Sequence, residues 1–202
     1  MSLSARMILV LTCVGLITGG FLAGVGLWTK EKIAFNIQQE IEQAIQIVVP
    51  GTAVSEKLYE ERAFTVYAGK AEDGTLAGYA VYASGAGFQD TITLMFGTDV
   101  ELKKLTRLTI LKQTETPGLG ANIERDDLFL RFWEDRDIQT ALTLHKPAAG
   151  SPNELTTTEI NTITGATISS ESVLSIVNLS MEKLKDKIEQ EGQLGGNEKD
   201  GN

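Results

Sequence analysis

A short run of small and hydroxyl-bearing residues, Thr164–Ser170, is the part of this sequence best suited to chemistry. It reads Thr-Gly-Ala-Thr-Ile-Ser-Ser and comes directly before a segment with the periodicity of an amphipathic helix. Backbone amides at a helix N-terminus have no intrahelical partner and lie at the positive end of the helix dipole, so they attract an anion such as a phosphate. A threonine hydroxyl at this turn can contact the phosphate or become its covalent anchor, and Thr167 is the residue that we single out.

The same run also has a purely structural interpretation. Serine and threonine are preferred at helix N-caps because their side-chain oxygens accept hydrogen bonds from the amides of the first turn. A Thr-Gly-Ala-Thr string alone therefore also fits a capped helix that binds nothing. The remainder of the chain has to decide between the two interpretations.

An uncharged stretch over residues 7–28 predicts a transmembrane helix. It is long enough to cross a bilayer core of about 30 Å. It also exceeds the apolar region of a signal peptide, about 7–15 residues, and no Ala-x-Ala cleavage pattern follows it, so we expect an uncleaved anchor. The positive charges on the two sides of this stretch nearly balance, so they do not decide its orientation in the membrane. The length and acidity of the C-terminal part favour its export.

Composition excludes several classes of function. The net charge of −9 and the pI near 4.7 argue against a nucleic-acid partner and against attraction to anionic lipid headgroups. Cys13 is the only cysteine and His145 the only histidine, so the sequence predicts no disulfide framework, no metal site and no Ser-His-Asp triad. We interpret His145 as a surface or loop residue.

Hydrophobic patterning places the regular elements that position the threonine-rich run. Short apolar runs between about residues 65 and 110, with an Asp73-Gly74 turn signal, predict a small antiparallel sheet. Residues 105–111 give a further strand, residues 128–133 a short helix with its aromatic side chains inward, and residues 171–188 an amphipathic helix.

These elements give an α+β fold in which one membrane helix leads into a compact domain where an antiparallel sheet packs against helices. The predicted segments are an N-terminal segment (1–6), the transmembrane helix (7–28), a connecting helix (29–50), the compact domain (51–188) and a flexible acidic tail (189–202).

Four features, taken together and in this order, resemble a known family. They are the N-terminal anchor, the turn Gly85–Phe88, the loop Glu115–Gly120 and the string Thr164–Thr167. The chain resembles the G subunit of Rnf-type electron transport complexes, with its flavin mononucleotide (FMN)-binding domain, over nearly its whole length. In that family the threonine that closes the Ser/Thr-Gly-Ala-Thr motif carries FMN as a phosphoester, placed there by a separate flavin transferase.

The resemblance assigns covalent FMN to Thr167. The chain departs from the family pattern at Asn161, because the family usually has an aspartate three positions before the Ser/Thr of the motif. The side-chain amide of an asparagine can still accept a hydrogen bond at this position. Glu115 either helps to shape the ring pocket or only caps its loop. The residues implied in FMN binding are Thr164, Gly165, Ala166, Ile168, Ser169, Ser170, Glu115, Thr116, Gly118, Leu119, Gly120, Gly87 and Phe88.

The function implied is that of an electron carrier within a membrane ferredoxin:NAD oxidoreductase complex that couples electron transfer to ion translocation. Such a protein has no catalytic acid, base or metal of its own and is not catalytically complete alone. The resemblance implies an inner-membrane, single-pass protein with an extracytoplasmic C-terminal domain. Its partners would be the other subunits of the complex, membrane lipid and, during maturation, the flavin transferase.

Three alternatives stay open at this point. The first is the C subunit of a sodium-pumping NADH:quinone oxidoreductase, which shares the flavinylated motif but is usually longer. The second is a membrane-tethered binding or assembly module without a redox cofactor, in which Thr164–Ser170 only caps a helix. The third is a stand-alone flavin reductase that uses a similar domain.

Overall fold

The structure is a computed structural model that describes residues 2–197. It divides into two compact units, one ending at Ile41 and one beginning at Glu42. Helix α1, Leu3–Val48, contains all of the first unit's regular structure and continues into the second. By length and composition α1 is able to cross a membrane, and its apolar side chains from Met7 to Trp28 are exposed.

The second unit is built on a six-stranded antiparallel sheet whose strand order follows the chain, β1-β2-β3-β4-β5-β6. Its strands are β1 Val54–Glu61, β2 Phe64–Lys70, β3 Leu76–Ala86, β4 Thr91–Thr98, β5 Lys104–Lys112 and β6 Arg136–Asp137. Strands β2 to β5 lie where alternating and continuous apolar runs predicted them. The antiparallel sheet predicted from the sequence is therefore confirmed.

Strand β1 was not predicted, and its composition explains why. It reads VSEKLYEE, and only Ser55 and Tyr59 are half-buried, whereas its other six residues are exposed. It lies at the edge of the sheet, where charged side chains protect a free edge from pairing with other chains. A charged edge strand carries almost none of the apolar alternation from which strands are recognised.

The predicted Asp73-Gly74 turn joins β2 to β3. The Asp73 carboxylate accepts hydrogen bonds from the Thr75 amide at 2.9 Å and from the Thr75 hydroxyl at 2.6 Å. Gly74 has φ +81°, which a residue without a Cβ adopts at little cost. The turn thus fixes the register of the β2–β3 pair.

Helix α2, Thr167–Asn197, covers one face of the sheet. Its buried side chains, including Val173, Ile176 and Val177, pack against sheet residues such as Val81 and Phe96 in one hydrophobic core. The closest approach is at Gly85, where an added Cβ would lie 2.5 Å from an Ile176 side-chain carbon. The residue at this point of β3 therefore has to be small.

The end of α1 covers the opposite face. Val48 and Val49 are buried, and their atoms lie over glycines in three neighbouring strands, Gly69, Gly78 and Gly97. The Val48 carbonyl accepts a hydrogen bond from the Thr106 hydroxyl of β5. The last residues of α1 thus belong to the packed domain, and the core lies on both faces of the central strands.

The remaining elements lie between β5 and α2 in the chain. Strands β7, Thr143–His145, and β8, Glu159–Asn161, pair in parallel. Short 3-10 helices cover Gly120–Glu124, Leu130–Trp133 and Pro152–Glu154. Phe129, Phe132 and Trp133 are buried, which confirms the predicted inward aromatic segment.

Two sequence-based predictions differ from the structure. His145 is half-buried in β7 rather than in a loop, with its Nδ1 3.5 Å from a Glu159 carboxylate oxygen. Helix α2 continues to Asn197, so residues 189–197 are helical where a flexible tail was predicted. The glutamates and glutamines of this segment are good helix formers, which favours the extension, whereas its three glycines disfavour it. Residues 198–202 of the predicted tail lie outside the described residues.

Candidate functional site

A buried carboxylate joins the three motifs that the sequence singles out. Glu115 is 4% exposed. One of its oxygens accepts hydrogen bonds from the amides of Phe88 and Gln89, at 2.8 and 3.1 Å. The other accepts from the Ser169 hydroxyl at 2.6 Å. The turn after β3, the loop after β5 and the start of α2 therefore meet at one side chain.

Glycine at position 87 makes room for this carboxylate. A Cβ added there would lie 2.5 Å from the Glu115 oxygen and 2.6 Å from the Asp90 carbonyl. The Gly87 amide donates to that carbonyl at 2.7 Å and so closes the turn between β3 and β4. Because the turn is tight, the amides of Phe88 and Gln89 are directed at Glu115.

The loop Glu115–Gly120 folds over the same carboxylate. The amides of Leu119 and Ala121 both donate to the Thr116 carbonyl at 3.1 Å. A Cβ at Gly120 would lie 2.6 Å from Glu115 Oε2 and 2.6 Å from Ser169 Oγ, so only glycine lets the loop approach this closely. The predicted glycine-rich loop is thus a tight wall of the site.

The start of α2 is shaped by a turn that requires glycine. Gly165 has φ +81°. The Ala166 amide donates to the Ile163 carbonyl at 2.9 Å, and the buried Ser170 hydroxyl accepts from the Ile163 amide at 3.2 Å while donating to the Ala166 carbonyl at 3.0 Å. Ser170 therefore fixes the chain that enters the helix, and Thr167 is the first helical residue.

Thr167 presents an available hydroxyl. Its side chain is half-buried. Among residues 2–197 its hydroxyl has no hydrogen-bond partner, whereas the hydroxyls of Ser169 and Ser170 are both engaged. The helix-cap interpretation assigned the run of hydroxyls to backbone amides. In the structure Ser170 does accept a hydrogen bond from a backbone amide, that of Ile163. Ser170 therefore fills the capping role, and the Thr167 hydroxyl is not used for it.

A cleft of about 330 Å³ lies between the three segments. This volume falls within the usual range of small-molecule sites, about 300–1,000 Å³. Three large apolar side chains at the cleft are exposed to solvent, Phe88 by 60%, Leu119 by 48% and Ile168 by 54%. The lining residues are Phe88, Glu115, Thr116, Leu119, Gly120, Gly165, Ala166, Thr167, Ile168 and Ser169.

Four other predicted site residues do not line the cleft. Gly87 and Ser170 have the packing roles described above. Gly118 has φ +75° and shapes the loop, and its carbonyl accepts from the Asn122 amide group at 3.0 Å. Thr164 is exposed and precedes the glycine of the turn. Their part in binding a cofactor stays a prediction.

The chemistry of the cleft fits a phosphate-bearing aromatic cofactor. The first amides of α2 and the positive end of its dipole suit a phosphate next to Thr167. Exposed apolar side chains on three separate segments suit a flat ring system, since aromatic ligands are held mainly by apolar contact. The same cleft thus combines a helix start suited to an anion with a rim of apolar side chains.

Asn161, the departure from the family pattern, is buried at 3% exposure. Its side-chain carbonyl accepts from the Ala149 amide at 2.8 Å. Its amide group donates to the Ala149 carbonyl at 3.2 Å and to the Leu128 carbonyl at 3.3 Å. An ionised aspartate would have no proton to donate to the two carbonyls. The local structure of this chain therefore uses the amide.

Sequence reasoning missed two glutamines that complete the site. The Gln89 side-chain amide donates to the Thr116 hydroxyl at 2.9 Å, and the Gln113 side-chain oxygen accepts from the Glu115 amide at 2.6 Å. Both are neighbours of the recognised motifs. The only feature of the sequence that pointed to these glutamines was that each lies close to one of the motifs.

Comparisons with known proteins find similarity in the part of the chain around this cleft. Residues 87–182 match the sequence model of the family described as the FMN-binding domain. The chain is similar to the G subunit of the ion-translocating oxidoreductase complex of Methanosarcina acetivorans, with 28% identity over 116 residues, which are 57% of this chain and 56% of the relative. It is also similar to the G subunit of the Na(+)-translocating ferredoxin:NAD(+) oxidoreductase complex of Acetobacterium woodii, with 30% identity over 123 residues, 60% of this chain and 56% of the relative.

The chain thus spans a little over half the length of these curated relatives. They confirm the resemblance to the G subunit that the motifs indicated. Among solved structures, NqrC of Shewanella oneidensis is similar with a TM-score of 0.53 and 16% identity, over 67% of each chain. That likeness shows the fold alone and confirms the α+β class.

Proposed function

We propose that this chain, whose residues 87–182 match the model of the FMN-binding domain family, is the flavin-carrying subunit of an ion-translocating ferredoxin:NAD oxidoreductase complex. The observation that carries this proposal is the cleft in which the available Thr167 hydroxyl, the first turn of α2 and an apolar rim come together. The names of the two relatives support it, since one is the G subunit of an ion-translocating oxidoreductase complex and the other the G subunit of a Na(+)-translocating ferredoxin:NAD(+) oxidoreductase complex.

In this proposal FMN is attached to Thr167 through a phosphoester. The donor is a flavin dinucleotide. The hydroxyl oxygen bonds to the phosphorus next to the flavin, the bond from that phosphorus to the bridging oxygen breaks, and the other nucleotide leaves as a monophosphate that takes up the proton. A separate flavin transferase catalyses the step. Support comes from the half-buried position of Thr167 at the start of α2, where the product phosphate keeps a negative charge that helix amides stabilise.

The remaining cleft residues hold and orient the cofactor. Gly165 and Gly120 let the backbone come close, and Phe88, Leu119 and Ile168 provide apolar contact for the ring. When bound, the isoalloxazine supplies the redox chemistry, and the protein supplies placement and electrostatics. The chain then relays electrons and does not complete a reaction alone, so neighbouring redox proteins of the complex are required.

The helix α1 supports a single-pass anchor in the cell membrane, since it is long and apolar enough to cross a bilayer. We assign the domain that follows to the extracytoplasmic side, in line with the resemblance to the G subunit. Lipid then surrounds the residues from Met7 to Trp28, all of whose large apolar side chains are exposed. The other subunits of the complex are the protein partners.

The G subunit is preferred to the three alternatives. The similarity to NqrC rests on 16% identity, whereas the relatives named as G subunits reach 28% and 30%. A binding module without a cofactor does not explain an available hydroxyl in a cleft of about 330 Å³. A stand-alone reductase would have to turn over substrate without partners, which purified flavin-loaded protein tests directly.

The experiment is denaturing gel electrophoresis of the full chain, co-expressed with an active flavin transferase and viewed under ultraviolet light. The Thr167→Val variant removes the hydroxyl, and Thr157→Val is the matched control at an exposed threonine that does not line the cleft. We expect a fluorescent band for the wild type and Thr157→Val and none for Thr167→Val. A wild-type chain without fluorescence, beside a control substrate that is flavinylated, would contradict the proposal.

A further inference from the structure

Glu115 is a buried carboxylate that forms no ion pair within the part of the chain that the structure describes. Its two oxygens accept from the Phe88 and Gln89 amides and from the Ser169 hydroxyl. Among residues 2–197 no lysine, arginine or histidine forms an ion pair with it. All three hydrogen-bond partners of its carboxylate within residues 2–197 are donors.

A buried and unpaired charge is costly to a fold. Removing a carboxylate from water costs several kcal/mol or more unless other groups compensate. Neutral amides and one hydroxyl compensate it here, and an uncharged glutamine could contact the same three groups, with the direction of the Ser169 hydrogen bond reversed. Connecting the three segments therefore explains the hydrogen bonds of Glu115 but not its charge.

The Glu115 carboxylate lies in the cleft that the proposed function assigns to the cofactor. Glu115 lines the same cleft as Thr167 and Ile168. Interactions between charges that are shielded from water are screened far less than those at the surface. Each electron that enters a flavin in this cleft adds negative charge close to a fixed negative charge, so reduction becomes less favourable.

We propose that the ionised Glu115 carboxylate lowers the reduction potential of the flavin held in the cleft, in addition to connecting the cleft walls. This inference rests on the proposed function. It assigns Glu115 a positioning and electrostatic role rather than a catalytic one. The carboxylate sets how readily the flavin passes electrons to the next redox partner.

The test replaces the charge and keeps the contacts. In Glu115→Gln the side-chain oxygen can still accept from the Phe88 and Gln89 amides, and the new amide group can donate to Ser169, whose hydroxyl oxygen has free lone pairs. Glu124→Gln is the matched control, because Glu124 is an exposed glutamate that ends the neighbouring 3-10 helix Gly120–Glu124. Both variants are made in the full chain, flavinylated by the transferase and purified in detergent.

The measurement is the flavin midpoint potential from spectroelectrochemical titration, with flavin content determined from absorbance. We expect a clear positive shift for Glu115→Gln and a much smaller one for Glu124→Gln, because an exposed charge is screened by solvent. A loss of flavin content without a shift in the loaded fraction would assign Glu115 to cleft assembly alone and overturn the inference.

Two further results have distinct meanings. Equal potentials for the flavin-loaded wild type and Glu115→Gln would overturn the inference and leave the proposed function intact. A wild-type chain that carries no flavin, in the presence of an active transferase, would overturn the proposed function and the inference with it.

Discussion

Glu115 and Ser169 are 54 positions apart in the sequence, and a 2.6 Å hydrogen bond joins the Ser169 hydroxyl to the Glu115 carboxylate. Ser169 lies in the first turn of α2, two residues after Thr167. The bond therefore fixes the register of the helix start against the loop Glu115–Gly120. An attachment site at Thr167 gains a defined position in the cleft from a contact that does not involve Thr167 itself.

The turn at Gly165 gives the first prediction. Gly165→Ala places a Cβ at φ +81°, which costs about 1–2 kcal/mol, and brings that Cβ within 3.3 Å of the Leu119 side chain. We expect a lower unfolding temperature together with reduced flavin incorporation. The two effects are measured by thermal unfolding and by in-gel fluorescence per unit of protein.

Gly74→Ala is the matched control for this variant. Gly74 has the same φ of +81°, and a Cβ added there meets nothing within 4 Å. It should cost similar stability and leave flavin incorporation unchanged. Equal loss of incorporation in both variants would mean that general destabilisation, not the geometry of the turn, limits attachment.

The second prediction concerns Asn161. In Asn161→Asp a carboxylate faces the Leu128 and Ala149 carbonyls, which now lose a donor, and an unsatisfied buried polar group costs about 1–3 kcal/mol. We expect reduced thermal stability and reduced flavin content. Asn153→Asp, at an exposed asparagine, should change neither quantity.

The opposite result at position 161 would also be informative. If Asn161→Asp raised the flavin content of the purified protein, the residue would act through recognition by the transferase rather than through the hydrogen bonds to Leu128 and Ala149. That outcome would contradict the structural role assigned to the amide here.

The third prediction tests the packing of the end of α1 on the sheet. A Cβ at Gly97 would overlap the Val48 carbonyl and the Thr106 hydroxyl, and overpacking of a buried contact costs about 1–3 kcal/mol. We expect Gly97→Ala to lower the free energy of unfolding by about 3 kcal/mol, since backbone has to move. Gly150→Ala, whose added Cβ meets its nearest neighbour, a Glu154 carboxylate oxygen, at an ordinary 3.4 Å, should be nearly neutral. Denaturant titration followed by tryptophan fluorescence measures both.

The sequence predicted those parts of the fold that depend on local patterns. Apolar runs indicated β2 to β5, Asp73-Gly74 indicated the hairpin turn, and the hydroxyl-rich run indicated the start of α2. A helix start and a tight turn have local causes, in caps and in backbone conformations that glycine allows.

The tertiary relationships could not be predicted in the same way. Glu115 accepts from Phe88, which lies 27 positions earlier, and Val48 lies over Gly97 on the opposite face of the sheet from α2. No periodic pattern encodes such contacts. From the sequence Glu115 could equally shape a pocket or cap its own loop, whereas in the fold its carboxylate bonds two other segments and so does more than cap the loop.

The central claim is that Thr167 carries the flavin, and the most direct measurement is mass spectrometry of the full chain co-expressed with an active transferase. The claim predicts an intact mass increased by one FMN less one water, with the added mass on the proteolytic fragment that contains Thr167, and an unmodified mass for Thr167→Val. An unmodified wild-type mass, or an added flavin that persists in Thr167→Val, would contradict it.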